Sequence, residues 1–322
     1  MSDAREWRYK FIELVEGVFR EIQFDPPVLP QTIDEPVELA LDRDGVDFAV
    51  IHRVDHAHAP ERIKIECQFG LIPEDDAIAV LTHLMETNLT RVREYEPVFS
   101  VDTERNCVIY SFSFPFEGIE VPALLDMLDN VAEQAHAWRQ QLSGSPENDV
   151  KDPGNDVVYN GDYRQQFIAL FNDICSQLGY ATTDDDPDFD KQDVDELSMS
   201  IEVNDVNFMV THVSSNNPEK ILVECRVGPL PLERGQPTLT RLLELNNELA
   251  DDGEQAYGID AETGEVVHTR VTDIANESSV LLLNAMAFMA HEAEEWNETF
   301  YLDDNEIEPV PTTTAFSYAN FA

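Results

Sequence analysis

The chain has 322 residues, 43 % of them hydrophobic, which is enough for two domains of ordinary size with cores of their own. Its 65 Asp and Glu residues outnumber its 20 Lys and Arg residues and give a net charge of −45, which disfavours nucleic acid and anionic membranes as partners. The longest apolar run, 280–290, is too short to cross a bilayer, and no apolar signal region follows the charged N-terminus. We therefore expect a cytoplasmic protein that binds neither nucleic acid nor membranes.

The acidity itself has three interpretations. Acidic residues spread over both halves of the chain suit a surface adapted to a salty cytoplasm, as in halophilic proteins. The same surface would keep a protein that binds apolar segments in solution. It would also dock a basic partner. Charge bears on solubility and association rather than on fold, so it leaves these three interpretations open.

The first predicted element is a helix, because apolar residues recur at helical spacing over 7–22. A Pro-Pro pair at 26–27 ends this pattern and begins a proline-rich stretch. Apolar and polar side chains then alternate over 46–54 and again over 63–69, which predicts two strands.

A second, leucine-rich helix is predicted to begin at residues 75–76, where two aspartates stand. Residues 98–101 and 107–114 predict a hairpin around a polar turn, and a last helix is predicted over 122–141. Helices mixed with antiparallel hairpins in this order are typical of the α+β class.

The second half of the chain repeats the first. Residues 61–138 align without a gap with residues 219–296, and about a quarter of the aligned pairs are identical. The repeat is far longer than a solenoid repeat, so each copy should own its core. We predict two tandem α+β domains, each a helix–strands–helix–hairpin–helix unit with an antiparallel sheet. Their predicted bounds are copy one at 1–142, a linker at 143–160, copy two at 161–302, and an extended or disordered tail at 303–322.

Residue types that carry catalysis or bind metals form no recognisable constellation in the sequence. His52, His56 and His58 have a spacing that a metal could use, but they straddle a predicted turn, and the second copy keeps only His212. A solvated loop and a packed, hydrogen-bonded His52 are the favoured interpretation. The acidic run 184–196 lacks EF-hand spacing, and the four cysteines form no C-x-x-C pair. We predict a non-enzymatic protein with no catalytic residue, no cofactor and no metal site.

A loose motif recurs as FGLIPEDDAIAVLTHLMETN at 69–88 and VGPLPLERGQPTLTRLLELNN at 227–247. In both places a Gly and Pro turn precedes a short leucine-rich helix that ends in Asn. This motif and the order of elements resemble the Tir chaperone family of type III secretion chaperones. The resemblance implies an acidic, cytoplasmic, usually homodimeric protein that binds extended segments of secreted effectors and has no enzymatic activity.

Members of that family are single domains that pair as two chains, so a covalent tandem makes the pairing intramolecular. We expect a monomer whose copies form a pseudo-two-fold pair through their middle helices. The predicted function is a chaperone-like module that binds an extended segment of a protein or peptide client. The alternative is a regulatory or adaptor protein without a role in secretion, as in the YbjN-like proteins that share this fold.

One strand differs strongly between the copies. In copy one, a single face of this strand carries four aromatic residues: Tyr110, Phe112, Phe114 and Phe116. Their counterparts in copy two are largely polar: His268, Arg270, Thr272 and Ile274. Ordinary core packing is one interpretation of the aromatic face. The other is an exposed apolar patch that accepts a client strand, which makes these four residues the candidate protein-binding site.

Overall fold

A computed structural model describes residues 4–54, 60–94, 96–142, 163–181, 196–214, 217–249 and 255–302. Within these ranges the chain forms two units, each with a five-stranded antiparallel sheet and three α-helices. The predicted linker and tail lie outside the described residues, as do His56, His58 and all of the acidic run 184–196 except its last residue. The domain bounds therefore stay a prediction.

The first unit begins and ends with a helix. Its elements are α1 (Ala4–Glu21), β1 (Val37–Arg43), β2 (Val46–His52), β3 (Arg62–Leu71), α2 (Ala77–Arg93), β4 (Val98–Asp102), β5 (Cys107–Pro115) and α3 (Val121–Leu142). The strands lie in the order β1-β2-β3-β5-β4, and every neighbouring pair is antiparallel.

The second unit repeats this order. Its elements are α4 (Tyr163–Leu178), β6 (Glu196–Val203), β7 (Val206–Val213), β8 (Lys220–Pro229), α5 (Gly235–Leu249), β9 (Gln255–Ile259), β10 (Glu265–Asp273) and α6 (Ser279–Thr299), with short 3₁₀ turns before α5 and α6. The sheet order β6-β7-β8-β10-β9 is that of the first unit. The predicted α+β class and the tandem repeat are confirmed.

One face of each sheet is covered by the first and last helices of its own unit. In the first unit, Phe11 of α1 and Leu128 of α3 have no exposed surface and belong to the same core as Ile65 of β3. In the second unit, Phe167 of α4 and Met286 of α6 take the same roles. Burying a side chain of this size contributes about 1.5–3 kcal/mol, so the amphipathic pattern of the helices fixes which face they cover.

A glycine near the end of the third strand recurs in both units because a tryptophan of the last helix lies against it. A Cβ atom at Gly70 would lie 2.9 Å from the ring of Trp138. A Cβ atom at Gly228 would lie 3.2 Å from Nε1 of Trp296. Any larger residue would push the helix away from a close-packed core, so these two pairs set how α3 and α6 dock.

The asparagine that ends the repeated motif binds an edge strand. The Nδ2 atom of Asn88 donates to the carbonyl oxygen of Phe99 (2.8 Å), and the Phe99 N–H donates to Oδ1 of Asn88 (2.7 Å). Asn246 makes the same two bonds with Tyr257, at 2.9 and 2.7 Å. Because β4 and β9 are edge strands, each buried amide takes the place of a missing strand neighbour.

The two units contact each other through their middle helices. Helix α2 lies against β9, α5 lies against β4, and the two helices touch. A buried apolar cluster joins the units, with members from both: Leu89, Val92, Val98, Leu222, Ala256, Val267 and Val271. The outer face of each sheet, which its own first and last helices leave uncovered, is therefore partly buried by the other unit.

Candidate functional site

In the part of the chain that the structure describes, metal ligands and reactive thiols form no site. Among the described residues, no three His, Cys, Asp or Glu side chains lie close enough to hold a metal ion. All four cysteines are buried free thiols, and burial raises the pKa of Cys67 and Cys225 to about 12. Thiols with such pKa values are poor nucleophiles at neutral pH.

No helix in the described part of the chain is long and apolar enough to cross a membrane.

His52 is packed inside the first unit, as predicted. Its ring stacks on Phe11 with centroids 4.9 Å apart, and Nε of Arg8 donates to its Nδ1 atom (3.0 Å). The Nε2 atom therefore carries the proton and donates to the carbonyl oxygen of Pro60 (2.9 Å). Burial lowers the pKa of His52, the bond to Pro60 opposes this, and the positive charge of Arg8 lowers the pKa further.

The four aromatic residues predicted as a binding site divide into two pairs. Tyr110 and Phe116 are buried in the core. The hydroxyl of Tyr110 accepts a hydrogen bond from Nη2 of Arg91 (2.6 Å). Phe116 lies beyond the end of β5 and makes an edge contact with Trp7, with ring centroids 5.4 Å apart. These two side chains hold the first unit together, and a client would not reach them without opening it.

Phe112 and Phe114 are only half-buried. Their rings stack with centroids 5.8 Å apart and an angle of 19° between the planes. Both rings pack against the margin of the core rather than inside it. Part of the predicted aromatic face therefore remains accessible on β5.

The same two residues lie where β5 has a strand neighbour on one side only. Strand β4 pairs with β5 as far as Ser111, whereas Phe112–Pro115 pairs with β3 alone. We call Phe112–Pro115 the free edge, since no other strand in the described part of the chain pairs with it. Arg62 borders the free edge and donates from Nη2 to the Ser113 carbonyl oxygen (2.6 Å). An unpaired stretch of strand with apolar side chains is a template for an added strand, which here would have to displace Arg62 from the Ser113 carbonyl oxygen and would find no N–H at Pro115.

The equivalent stretch of β10 in the second unit, 271–273, also pairs with one strand only, but its side chains differ. Strand β9 pairs with β10 as far as Arg270, and the following residue, Val271, is buried in the contact between the units. Thr272 is also buried, and its hydroxyl donates to the carboxylate of Glu277 (2.7 Å). An unpaired stretch of strand that carries accessible aromatic side chains is thus a property of the first unit.

An acidic groove of about 680 Å³ lies between the outer face of the first sheet and α5 of the second unit. Both of its arginines already face carboxylates, since Arg241 lies 3.4 Å from Glu244 and Arg105 lies 3.6 Å from Asp102. The carboxylates that line the groove are Glu38, Asp42, Asp47, Glu66, Asp102, Glu244 and Glu248. Sequence reasoning missed this groove, because it forms only when the two units meet.

Comparison with known proteins gives one family match. The model of the Tir chaperone protein (CesT) family matches residues 38–139 and 188–297, one segment in each unit and more than half of the chain together. No curated protein matches the chain significantly.

Several solved structures are similar to less than half of the chain. The ExsC–ExsE complex is 16 % identical, covers 42 % of this chain and 95 % of its own, and has a TM-score of 0.33. The HopA1–SchA chaperone–effector complex is 21 % identical, covers 44 % of this chain and 99 % of its own, and has a TM-score of 0.30. The Yersinia pestis type III secretion chaperone SycH, in complex with a fragment of YscM2, is 14 % identical, covers 40 % of this chain and 98 % of its own, and has a TM-score of 0.29.

Proposed function

The chain belongs to the Tir chaperone protein (CesT) family, and on that premise we propose that it binds an extended polypeptide segment of a client protein in the cytoplasm without catalysing a reaction. The family match supports a chaperone-like protein-binding module. The buried, high-pKa thiols are in keeping with a binding role.

The observation that carries the proposal is the free edge. A client segment in extended conformation would pair its backbone with Phe112–Pro115 and seat its apolar side chains on the stacked rings of Phe112 and Phe114. Backbone pairing supplies affinity that does not depend on sequence, while the two rings select apolar residues. Tyr110 and Phe116 support the strand from inside and do not touch the client.

The equivalent strand of the second unit supplies the substitutions for a test. Replacing Phe112 with Arg and Phe114 with Thr places on β5 the residues that β10 carries at the equivalent positions. Peptides selected from a random library against the intact chain should bind this double variant at least tenfold more weakly, because an apolar contact and its shape are lost. Affinity is measured by fluorescence anisotropy at matched salt.

The matched control is Leu71→Thr, which removes an apolar side chain that is 70 % exposed at the end of β3. It should leave peptide affinity unchanged. Circular dichroism and thermal unfolding establish that both variants fold. Unchanged affinity in the folded double variant would remove the free edge as the binding site. Failure to select any peptide would favour the regulatory or adaptor role.

We propose further that the predicted domains at 1–142 and 161–302 act as an intramolecular pseudo-dimer, with the whole chain a monomer. The support is the reciprocal packing of α2 on β9 and of α5 on β4, with an apolar cluster between the units. Multi-angle light scattering should return the mass of one chain over a wide concentration range. A stable dimer of whole chains would contradict this part of the proposal.

A further inference from the structure

Helix α6 carries an exposed apolar face that α3 lacks. Three of its large side chains are more than half exposed: Val280 (56 %), Leu281 (55 %) and Phe288 (59 %). The equivalent positions of α3 hold small or polar residues: Pro122, Ala123 and Asn130. Residues 280, 284 and 288 follow one another at four-residue spacing, so the face forms a stripe about 12 Å long on one side of the helix.

The chain turns back along α6 as soon as the helix ends. Phe300 and Tyr301 both have positive φ angles, 55° and 57°, which reverse the direction of the backbone. The Tyr301 ring then lies beside Trp296, with centroids 5.4 Å apart, and its hydroxyl donates to the carbonyl oxygen of Glu292 (2.9 Å). Positions 296 and 292 lie in one row of the helix, and the next position in that row is Phe288. The last described residues therefore fold back beside α6, where Tyr301 also contacts Tyr257 of β9 and Leu302 is buried.

The sequence that follows has the composition such a face would bind. Residues 309–322, PVPTTTAFSYANFA, contain no charged residue, although 26 % of the whole chain is charged. They include three aromatic residues, Phe316, Tyr318 and Phe321. The segment that follows α3, 143–160, is charged and has one aromatic residue. The apolar helix face and the uncharged aromatic segment thus occur together, and only after the second unit.

The segment is also long enough to reach the face. Fourteen helical positions separate Leu302 from Phe288, a distance of about 21 Å along the axis. The fourteen residues from Leu302 to Phe316 span up to about 46 Å when extended. The aromatic residues can therefore cover both Phe288 and the Val280 end of the stripe.

We propose that the α6 face formed by Val280, Leu281 and Phe288 is the docking site of the chain's own segment 309–322, with Phe316, Tyr318 and Phe321 as its apolar anchors. Docking removes this apolar stripe from water. This site is separate from the free edge of β5 and does not depend on client binding.

Disulfide trapping tests the proposal in the full chain. Asn284 lies in the middle of the stripe and is exposed, so Asn284→Cys is paired with Ala319→Cys in the segment. The control pair joins Ala319→Cys with Asp126→Cys, the exposed equivalent position on α3. The four native thiols are buried, so mild oxidation acts on the introduced ones. We expect the α6 pair to form an intramolecular disulfide at least tenfold faster than the control pair.

A second variant shows whether the apolar contact is responsible. Phe288→Asn, which installs the residue of α3, should slow trapping of the α6 pair at least tenfold while circular dichroism shows an intact fold. Equal trapping rates in the α6 and control pairs would overturn the proposal, because the face would then be open to other partners. Disulfide-linked dimers that form in proportion to concentration would overturn it in favour of a second copy of the chain.

Discussion

In the first unit, Ser100 of β4 faces Asn247 of α5 with 3.3 Å between their side-chain oxygens, whereas in the second unit the equivalent Gly258 of β9 faces Leu89 of α2. The residues beside them also differ, being polar in the first unit and apolar in the second. Lys64 is buried next to Asn247, and its Nζ atom donates to the Asn247 carbonyl oxygen (3.4 Å). The equivalent residue in the other unit is Leu222.

The two ends of the contact therefore share a geometry and differ in chemistry. At each end, a middle helix crosses the edge strand of the other unit. Asn88 holds the edge strand β4 in place, and Asn246 holds the edge strand β9.

At one end, hydrogen bonds from Ser100 and Lys64 to Asn247 cross the contact, and an ion pair within β3 holds Lys64 in place, with its Nζ atom 2.9 Å from Glu66. The buried part of the other end is apolar, and an ion pair between Arg93 of α2 and Glu224 of β8 (2.6 Å) also crosses the contact there. The difference teaches that one packing geometry between a middle helix and an edge strand can be filled by polar side chains at one end and by apolar side chains at the other.

The largest expected effect is a cavity at the apolar end. Leu222→Ala removes a side chain that is 4 % exposed and should lower the free energy of unfolding by about 3 kcal/mol. At the polar end, Lys64→Met combined with Glu66→Gln removes both charges of the ion pair, so no unpaired charge stays behind, and should change the free energy of unfolding by less than about 1 kcal/mol. Urea unfolding at fixed salt measures both. A cost below about 1 kcal/mol for Leu222→Ala would mean that the apolar end is not packed.

The next effect tests the close approach of α2 to β9. A Cβ atom at Gly258 would lie 2.6 Å from Cβ of Leu89 and 2.8 Å from its backbone N and Cα atoms, so relief requires the helix to move. Gly258→Ala should therefore lower the free energy of unfolding by about 2 kcal/mol. Ser100→Ala, the equivalent change at the polar end, keeps the Cβ atom and loses one hydrogen bond, at a cost of about 1 kcal/mol or less. Equal costs for the two variants, measured by urea unfolding, would contradict the asymmetry.

The smallest expected effect is a pH dependence of folding stability that comes from the first unit. His52 has a lowered pKa in the folded chain, so below its ordinary value of 6.5 the unfolded chain takes up a proton that the folded chain refuses. Stability should fall by up to about 1 kcal/mol between pH 7 and pH 5.5, because His52 is fully buried. The pH dependence of the urea midpoint measures this, and His52→Asn should reduce it.

Asp260 in the second unit behaves differently. Burial raises the pKa of its carboxyl group, but hydrogen bonds from the Glu262 and Thr263 N–H groups and from Arg226 outweigh burial, so the net pKa is lowered. Its contribution is complete above the ordinary value of 3.8 and is lost as pH falls through the lower folded value. Asp260→Asn should therefore leave the change between pH 7 and pH 5.5 intact. A change that His52→Asn leaves unaltered would mean that other groups cause it.

Most of the fold could be predicted because the repeat gives two different stretches of sequence for each helix and strand. Two or three strands were expected before the second helix, but the position of β1 was not predicted, since the proline-rich stretch before it obscured the alternation of Val37, Leu39 and Leu41, which are buried. A period-two pattern also could not predict where Phe116 lies. The strand ends at Pro115, and Phe116 then turns into the core beside Trp7.

The candidate site could be predicted only in part. Alternation identified the aromatic face of β5, but which rings stay accessible depends on where β4 stops pairing and where α1 covers the sheet. Lys64 shows a deeper limit. On its strand it occupies a polar, outward position, and it is buried because the other unit covers it. A contact between units that are far apart in sequence leaves no local pattern.

The pairing of Ser100 with Asn247 and of Gly258 with Leu89 has a consequence for how the chain can change over generations. In an assembly of two identical chains, any substitution at such a contact is introduced twice, and both sites must tolerate it together. Here each substitution is introduced once, so one end can be altered while the other preserves the assembly. The two units are thereby free to diverge in sequence, as Phe112 and Phe114 of β5 and their counterparts Arg270 and Thr272 of β10 already do.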